Sequence, residues 1–179
     1  MKPFKTKIIA VTNQKGGVGK TTSSVNIASF LAITETPTLL IDMDPQANAS
    51  SGLGIDVSPK IKSIYDILVN NLQVSQCIQK TEIDFLDILP SCSKLAGAEI
   101  ELVSMLSREL ILKEALKECL GKYKYIIIDS PPSLGLLTVN VFTAAHSLII
   151  PIQCEYYALE GLSQLLNTVR LIQNNLNPI

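Results

Sequence analysis

The feature that most constrains the fold of this 179-residue chain is a glycine-rich segment at residues 13–22, directly after an apolar run at residues 8–12. The segment reads NQKGGVGKTT, and a helical pattern begins at Thr21. Glycines let backbone N–H groups approach an anion closely, and the N-terminus of the following helix adds a positive dipole. A strand, a glycine-rich turn and a helix in this order predict a phosphate-binding loop.

The residues of this loop have distinct predicted roles. Lys20 is placed to reach the β- and γ-phosphates of a nucleotide, the Thr21 hydroxyl to bind Mg²⁺, and Thr22 to hydrogen-bond the α-phosphate. The general pattern GxxxxGK[ST] requires a glycine where this chain has Gln14, so the loop is a deviant Walker A motif with Lys15 as an added cation. The alternative is an ordinary glycine turn with solvated lysines. The predicted nucleotide-binding residues are Lys15, Gly16, Gly17, Val18, Gly19, Lys20, Thr21 and Thr22.

Short apolar runs alternate with helical patterns along the rest of the chain. Further strands are predicted at residues 38–41, 85–89, 125–128 and 148–150, and helices at residues 21–32, 61–69, 95–106, 109–120, 136–145 and 158–174. Continuous apolar strands are typical of parallel sheets that are covered on both faces. The alternation predicts an α/β fold with a doubly wound, mainly parallel sheet, formed by residues 1–179 as a single domain.

Acidic residues follow two of the predicted strands. Asp129 ends the run at 125–128, so its carboxylate is predicted at the carboxyl edge of the sheet, where it could hold Mg²⁺ directly or through water. Asp42 and Asp44 follow the second strand and reach the same edge, where a carboxylate could orient an attacking water. For Asp44, which precedes Pro45, a role in a turn and helix start only is the alternative.

Composition restricts the function classes. Hydrophobic residues make up 47 % of the chain, which excludes disorder, and a net charge of −1 provides no global positive field for nucleic acid. The basic residues form no dense patch in the sequence. The four cysteines show no CxxC spacing, so reduced thiols in a cytosolic protein are expected. Residues 130–154 carry no formal charge, but prolines and polar residues interrupt them, which favours a buried helix and a buried strand over a membrane span. His146 is interpreted as a helix-end cation or a satisfied core residue.

Four segments together resemble the ParA/Soj family of chromosome- and plasmid-partitioning ATPases: KGGVGKTT, DMDPQANASSGLG, YIIIDSPPSLGLLTVN and PIQCEYYALEGLSQLL. The resemblance spans essentially the whole chain. It implies a weak, Mg²⁺-dependent ATPase that hydrolyses ATP to ADP and phosphate, and an ATP-dependent homodimer that encloses two nucleotides. It places the family's trans-acting lysine on Lys15, its water-activating aspartate on Asp44 and its Mg²⁺-binding residues on Thr21 and Asp129. Together with Lys20, Lys15 and Asp44 form the expected catalytic set.

The same resemblance implies partners and a location. The expected partners are a ParB/Spo0J-like centromere-binding protein and DNA bound without sequence preference, and the expected location is cytoplasmic and nucleoid-associated, without membrane attachment. Family chains continue past the position of Ile179, through the residues that contact adenine and bind DNA. We therefore expect the natural protein to be longer, with both of those sites beyond Ile179.

Three other functions fit parts of the pattern. A MinD-type cell-division ATPase shares the loop and the dimer. Such an ATPase is not expected to have Asp-Pro-Gln after its second strand, as this chain does at residues 44–46, and it carries a C-terminal membrane helix. A relative of the nitrogenase iron protein needs paired cysteines that bridge a cluster across the dimer. A non-catalytic, nucleotide-dependent binding module would differ only in lacking ATP turnover.

Overall fold

The computed structural model describes residues 5–58, 60–154 and 158–178. Residues 155–157, which belong to the fourth family-like segment, and Ile179 lie outside these ranges. The strands are β1 (Lys7–Val11), β2 (Thr38–Asp42), β3 (Gln79–Lys80), β4 (Leu86–Leu89), β5 (Tyr125–Asp129) and β6 (Ser147–Ile149). The α-helices are α1 (Lys20–Ile33), α2 (Asn48–Gly52), α3 (Ile64–Leu68), α4 (Leu95–Leu102), α5 (Ile111–Ala115), α6 (Leu136–Ala144) and α7 (Ala158–Asn175), and short 3₁₀ turns cover Val74–Gln76 and Leu116–Cys119.

The strands form one sheet in the order β3-β4-β2-β5-β1-β6. All neighbouring pairs are parallel except β3 with β4. Successive side chains of a strand point to opposite faces, so Leu39 and Ile41 pack against α3 to α7 while Leu40 packs against α1 and α2. Helices on both faces explain why the strands read as continuous apolar runs. The structure confirms the predicted α/β fold with a doubly wound, mainly parallel sheet.

Several predicted boundaries were wrong. The helix predicted at 61–69 begins only at Ile64, because Ser63 caps it: the Ser63 N–H donates to Asp66 Oδ2 at 3.0 Å. The helix predicted at 95–106 ends at Leu102, and Leu106 is 95 % exposed although it continues the apolar pattern. The left-handed backbone of Ser107 (φ 52°) then reverses the chain before α5.

Two short elements were not predicted at all. Helix α2 follows the Asp42 turn, and β3 is a two-residue antiparallel strand at one edge of the sheet. Lys80 of this edge strand is 85 % exposed at its side chain and forms an ion pair with Asp87 Oδ1 at 2.8 Å. Tyr123 also donates its hydroxyl to Asp87, at 2.7 Å. Apolar periodicity cannot reveal a strand of two polar residues, because so short a strand contains no alternation of apolar and polar residues.

The uncharged stretch at 130–154 folds into α6 and β6. Helix α6 is buried as predicted, whereas β6 is only half-buried, because it is the outer strand of the sheet among the described residues. None of the helices in the described part of the chain is both long and apolar enough to cross a bilayer.

His146 differs from the prediction of a helix-end cation or a core residue. Its imidazole is exposed, and its Nδ1 accepts a hydrogen bond from the Ile8 N–H at 2.9 Å, which requires the unprotonated nitrogen. Desolvation, together with the nearby charges of Lys113, Lys7 and Lys5, lowers the pKa of His146. The residue is therefore a neutral hydrogen-bond acceptor at the start of β6.

Candidate functional site

The glycine-rich loop connects β1 to α1 at the carboxyl edge of the sheet. Gly17 (φ 73°) and Gly19 (φ 88°) adopt left-handed backbone conformations that side chains beyond glycine rarely accept. Gly19 is the N-cap of α1, and no side chain caps this helix. The first amides of a 14-residue helix are therefore left for an external acceptor, as in an anion-binding helix terminus.

The predicted loop residues divide by exposure. Val18 and Lys20 are buried, Gly19 and Thr21 are half-buried, and Lys15, Gly16, Gly17 and Thr22 are exposed. Lys20 is 7 % exposed, and its ammonium donates to the Lys15 carbonyl at 3.0 Å. Burial lowers the pKa of Lys20, while the negative charges of Asp129 and Asp44 oppose this effect. The Lys20 ammonium is thus directed into the site. One of its three protons binds the Lys15 carbonyl, so two remain for other acceptors such as phosphate oxygens.

Asp129 ends β5 and is fully buried. Its Oδ1 accepts a hydrogen bond from the Ser24 hydroxyl at 2.9 Å, whereas its Oδ2 has no hydrogen-bond partner among the described residues. Desolvation raises the pKa of Asp129 to about 6, although the hydroxyls of Thr21 and Ser24 favour the charged form. A buried, unpartnered carboxylate oxygen is costly unless a cation or a donor occupies the site beside it.

These residues fit a magnesium ion. Mg²⁺ prefers oxygen ligands and is commonly held by one or two carboxylates, waters and substrate phosphates. Asp129 Oδ2 and the Thr21 hydroxyl are oxygens of this kind at the head of α1. No group of three or more His, Cys, Asp or Glu side chains in the described ranges forms a metal cage. The remaining ligands would therefore have to come from phosphate and water.

Asp42 and Asp44 have different environments although only one residue separates them. The buried Asp42 carboxylate accepts hydrogen bonds from the Ser50 N–H (2.8 Å), the Ser50 hydroxyl (2.7 Å) and the Asp44 N–H (3.1 Å). Burial raises the pKa of Asp42 to about 6, with those hydrogen bonds opposing the shift. Asp42 therefore anchors the turn after β2, which differs from the water-orienting role considered for it.

Asp44 is half-buried, and its Oδ1 accepts a hydrogen bond from the Gln46 N–H at 2.9 Å. This contact is the turn-forming bond that the alternative role predicts. Asp44 also raises the pKa of Lys20 and that of Asp129, so its charge acts on the same site. Lys20, Thr21, Asp44 and Asp129 are thus brought together at one edge, as the sequence predicted.

Comparisons with known proteins show the family of this chain. The AAA domain family matches residues 6–179. The sporulation initiation inhibitor protein Soj of Bacillus subtilis is 60 % identical over 171 residues, which cover 96 % of this chain and 68 % of that protein. This chain belongs to the ParA/Soj family of partitioning ATPases. The chromosome partitioning protein ParA of Myxococcus xanthus is 52 % identical, and the chain spans 61 % of its length.

Solved structures with the same fold include nucleotide complexes. A cobyrinic acid a,c-diamide synthase from Mycobacterium smegmatis, with bound ADP and magnesium, is 40 % identical with a TM-score of 0.92 over 97 % of this chain and 70 % of that one. A putative plasmid partition protein from Borrelia burgdorferi, bound to AMPPNP, is 34 % identical with a TM-score of 0.84 over 94 % of this chain and 70 % of that one. Because a diamide synthase and a plasmid partition protein share this fold, the fold alone does not select the activity of this ParA/Soj family member.

Sequence reasoning missed the residues that support the site. Ser24 lies one helical turn after Lys20 and reaches Asp129, 105 positions away. Its spacing of four from Lys20 places it on the same face of α1, a signal that could have indicated it. Ser50 binds Asp42, and Asn13 joins the loop to the chain after β6. No local pattern indicates these two, because Ser50 lies in a helix that was not predicted and the Pro151 partner of Asn13 is distant in sequence.

A cleft lined by basic residues lies at the amino ends of the strands, opposite the edge that carries the candidate site. The sequence suggested no dense basic patch, but the fold brings Lys5, Lys7, Lys124 and His146 to the walls of one cleft of about 490 Å³. The Lys7 N–H donates to the Lys124 carbonyl at 3.0 Å, which places these two residues side by side. Lysines from two distant parts of the sequence therefore share one cleft, which the sequence pattern did not indicate.

Proposed function

We propose that this chain is the nucleotide-binding part of an ATP-dependent partitioning switch that hydrolyses ATP to ADP and phosphate. The observation that carries the proposal is the buried, unpartnered Oδ2 of Asp129, set beside Thr21 and Lys20 at the uncapped head of α1. This arrangement combines a phosphate-binding helix terminus, a buried cation and oxygen ligands for Mg²⁺. The identity of 52 % to the chromosome partitioning protein ParA of Myxococcus xanthus supports the partitioning role.

Each residue has a defined task in this proposal. The loop amides and the Lys20 ammonium bind the β- and γ-phosphates, and Thr22 binds the α-phosphate. Thr21 and Asp129 hold Mg²⁺, which when bound neutralises charge on the phosphates. Asp44 accepts a hydrogen bond from the attacking water and orients it toward the γ-phosphate. These tasks require no large rearrangement, because the side chains already share one edge of the sheet.

Lys15 is proposed to act on a second subunit. It is exposed at the tip of the loop, whereas Lys20 is buried within the site. A cation that arrives from the partner would stabilise charge on the transferred phosphoryl group only in the dimer. Intrinsic turnover of the monomer is then slow, and ATP controls the oligomeric state.

Partners and location follow from the relatives. ParA of Myxococcus xanthus is a chromosome partitioning protein by name, so we expect a ParB-like centromere-binding protein and non-specific DNA as partners of this protein, and a cytoplasmic, nucleoid-associated location. The residues that contact adenine and DNA are proposed to lie in the part of the family fold that this chain does not span.

The proposal is tested by measuring ATP hydrolysis and molar mass together. We expect slow, Mg²⁺-dependent release of phosphate, abolished by EDTA, and a dimer in light scattering with ATP but not with ADP. ATP binding without turnover, even with partner and DNA present, would identify a non-catalytic binding module instead. ATP-dependent binding to anionic vesicles rather than to DNA would indicate a MinD-like regulator.

A further inference from the structure

A single carboxamide joins the phosphate loop to a distant part of the chain. Asn13 Oδ1 accepts a hydrogen bond from the Lys15 N–H at 3.0 Å, and Asn13 Nδ2 donates to the Pro151 carbonyl at 2.8 Å. A peptide N–H can only donate and a carbonyl can only accept, so the two partners fix the orientation of the amide. Asn13 thereby links residue 15 to the segment that follows β6, 138 positions after Asn13 in sequence.

Two neighbouring contacts reinforce the same junction. The Thr12 N–H donates to the Ile149 carbonyl at 2.9 Å, and Gln153 Nε2 donates to the Gly17 carbonyl at 3.2 Å. Residues 149–153 therefore follow the loop along its length. The Gln153 contact is exposed to water, as is the bond from the Lys15 N–H to Asn13, whereas the shorter bond from Asn13 to the Pro151 carbonyl is half-buried.

The Lys15 peptide is held on both sides. Asn13 binds its N–H, and the buried Lys20 ammonium binds its carbonyl at 3.0 Å. The Lys15 side chain has four flexible methylene groups, so its reach and direction depend on how firmly its backbone is fixed. A small displacement of a charged group costs a large factor in rate when that group must meet a transition state.

We propose that Asn13 is a positioning residue for Lys15, and that the segment after β6 is the fixed support against which it holds the loop. This inference rests on the proposed function, because it assigns the task of Asn13 through the reaction in which Lys15 takes part. The competing role is structural only: Asn13 would stabilise the end of β1 without influence on the reaction.

The first test measures hydrogen exchange of the Lys15 amide in the nucleotide-free protein by NMR, so it does not depend on activity. Asn13→Ala should speed exchange at Lys15 by roughly two- to tenfold, the factor of one ordinary hydrogen bond, and leave the α1 amides unchanged. Asn175→Ala is the matched control, since Asn175 is exposed and its side chain donates to the Leu171 carbonyl of its own helix. Unchanged exchange at Lys15 in Asn13→Ala would overturn the proposal.

The second test is a double-mutant cycle on ATP turnover. Asn13→Ala should lower turnover by about ten- to a hundredfold while ADP affinity stays within about twofold, because Lys20 and the loop amides remain. In a Lys15→Ala background, where only the slow turnover of the monomer remains to be measured, the same change should have no further effect, since the two residues act as one unit. Equal losses in both backgrounds would show a structural role and refute the positioning role.

The two readouts separate the possible failures. A wild-type protein that does not hydrolyse ATP contradicts the proposed function. The exchange rate of the Lys15 amide still tests the hydrogen bond between Asn13 and Lys15, because that measurement does not depend on activity. A wild-type protein that turns over ATP normally, with an additive cycle, contradicts only the role of Asn13. Gln153→Ala should give a smaller loss than Asn13→Ala, in keeping with its exposed and longer bond.

Discussion

Asp42 and Asp129 lie opposite each other in register at the carboxyl ends of β2 and β5, but only one of them is satisfied by the protein. Three hydrogen bonds from Ser50 and Asp44 occupy the Asp42 carboxylate, while Asp129 Oδ1 accepts one from Ser24 and Asp129 Oδ2 has no partner in the part of the chain that the structure describes. Burial raises the pKa of both groups to about 6. Adjacent positions of one sheet thus carry a structural anchor and an open ligand for a cation.

Lys20→Ala should remove phosphate binding itself. The substitution deletes the buried cation beside the head of α1, and no other described lysine reaches the interior of the site. Charge-assisted bonds to phosphate contribute about 1.5–3 kcal/mol, so ATP affinity should fall by at least tenfold. Calorimetric titration with ATP is the measurement, and Lys94→Ala, an exposed lysine of the loop before α4, is the control. Undiminished ATP affinity in Lys20→Ala would show that the phosphate site lies elsewhere.

Lys15→Ala should leave nucleotide binding largely intact and abolish the ATP-dependent dimer. Lys15 is exposed at the loop tip, and the loop amides and Lys20 still bind the phosphates of one subunit. Size-exclusion chromatography with light scattering, in ATP and in ADP, checks the outcome. A dimer of unchanged stability in the variant would contradict a contact from Lys15 to the partner's nucleotide.

Asp44→Ala should preserve binding of ATP and Mg²⁺ but reduce hydrolysis by the ~10²–10⁴-fold typical of a lost general base. The protein should then accumulate as an ATP-bound dimer. If Asp44 only forms the turn to Gln46, the variant should instead lose stability and nucleotide binding together, with normal turnover per bound ATP. Single-turnover hydrolysis, combined with a thermal melt of the same preparation, distinguishes the two outcomes.

Asp129→Asn should stabilise the nucleotide-free protein at neutral pH while it impairs Mg²⁺ binding. The folded-state pKa of Asp129 is about 6, above its ordinary value of 3.8, so the folded state binds the proton more tightly than the unfolded state does. Stability from this group is therefore greatest below pH ~4 and is lost as the pH rises through about 6. Removing the charge should recover on the order of 2 kcal/mol above that pH.

Thermal denaturation at pH 5 and pH 8 in EDTA checks this expectation. The wild type should lose stability between these pH values, and Asp129→Asn should lose less of it, with a residual slope from Asp42. Asp84→Asn, at an exposed carboxylate, should retain the wild-type pH dependence. The same slope in wild type and Asp129→Asn would contradict the burial cost assigned to Asp129.

The sequence was most informative where structure is local. The strand, the glycine loop and the start of α1 are continuous in the chain, so their order alone predicted the phosphate site. Asp129 was also predictable, because the end of a parallel strand defines the edge it reaches. The difference between Asp42 and Asp44 was not predictable, since both lie at the carboxyl end of β2 or directly after it, and the contacts with Ser50 distinguish them.

Long-range contacts explain the remaining errors. Apolar spacing continues through Leu106, but the chain turns at Ser107, so periodicity overestimated α4. The Asn13 carboxamide depends on Pro151, whose proximity follows only once β6 pairs with β1. Tertiary packing sets such features, and a single sequence does not report it.

The two-residue strand β3 has a consequence for the behaviour of the protein in concentrated solution. A long, flat outer strand presents a row of free N–H and C=O groups to which other molecules can add strands, and this is a common start of aggregation. Here that border is only Gln79 and Lys80, and the lysine is charged and exposed. The sheet therefore offers a foreign strand almost no template on this side, and the strands β4 and β2 behind it are buried along their whole length.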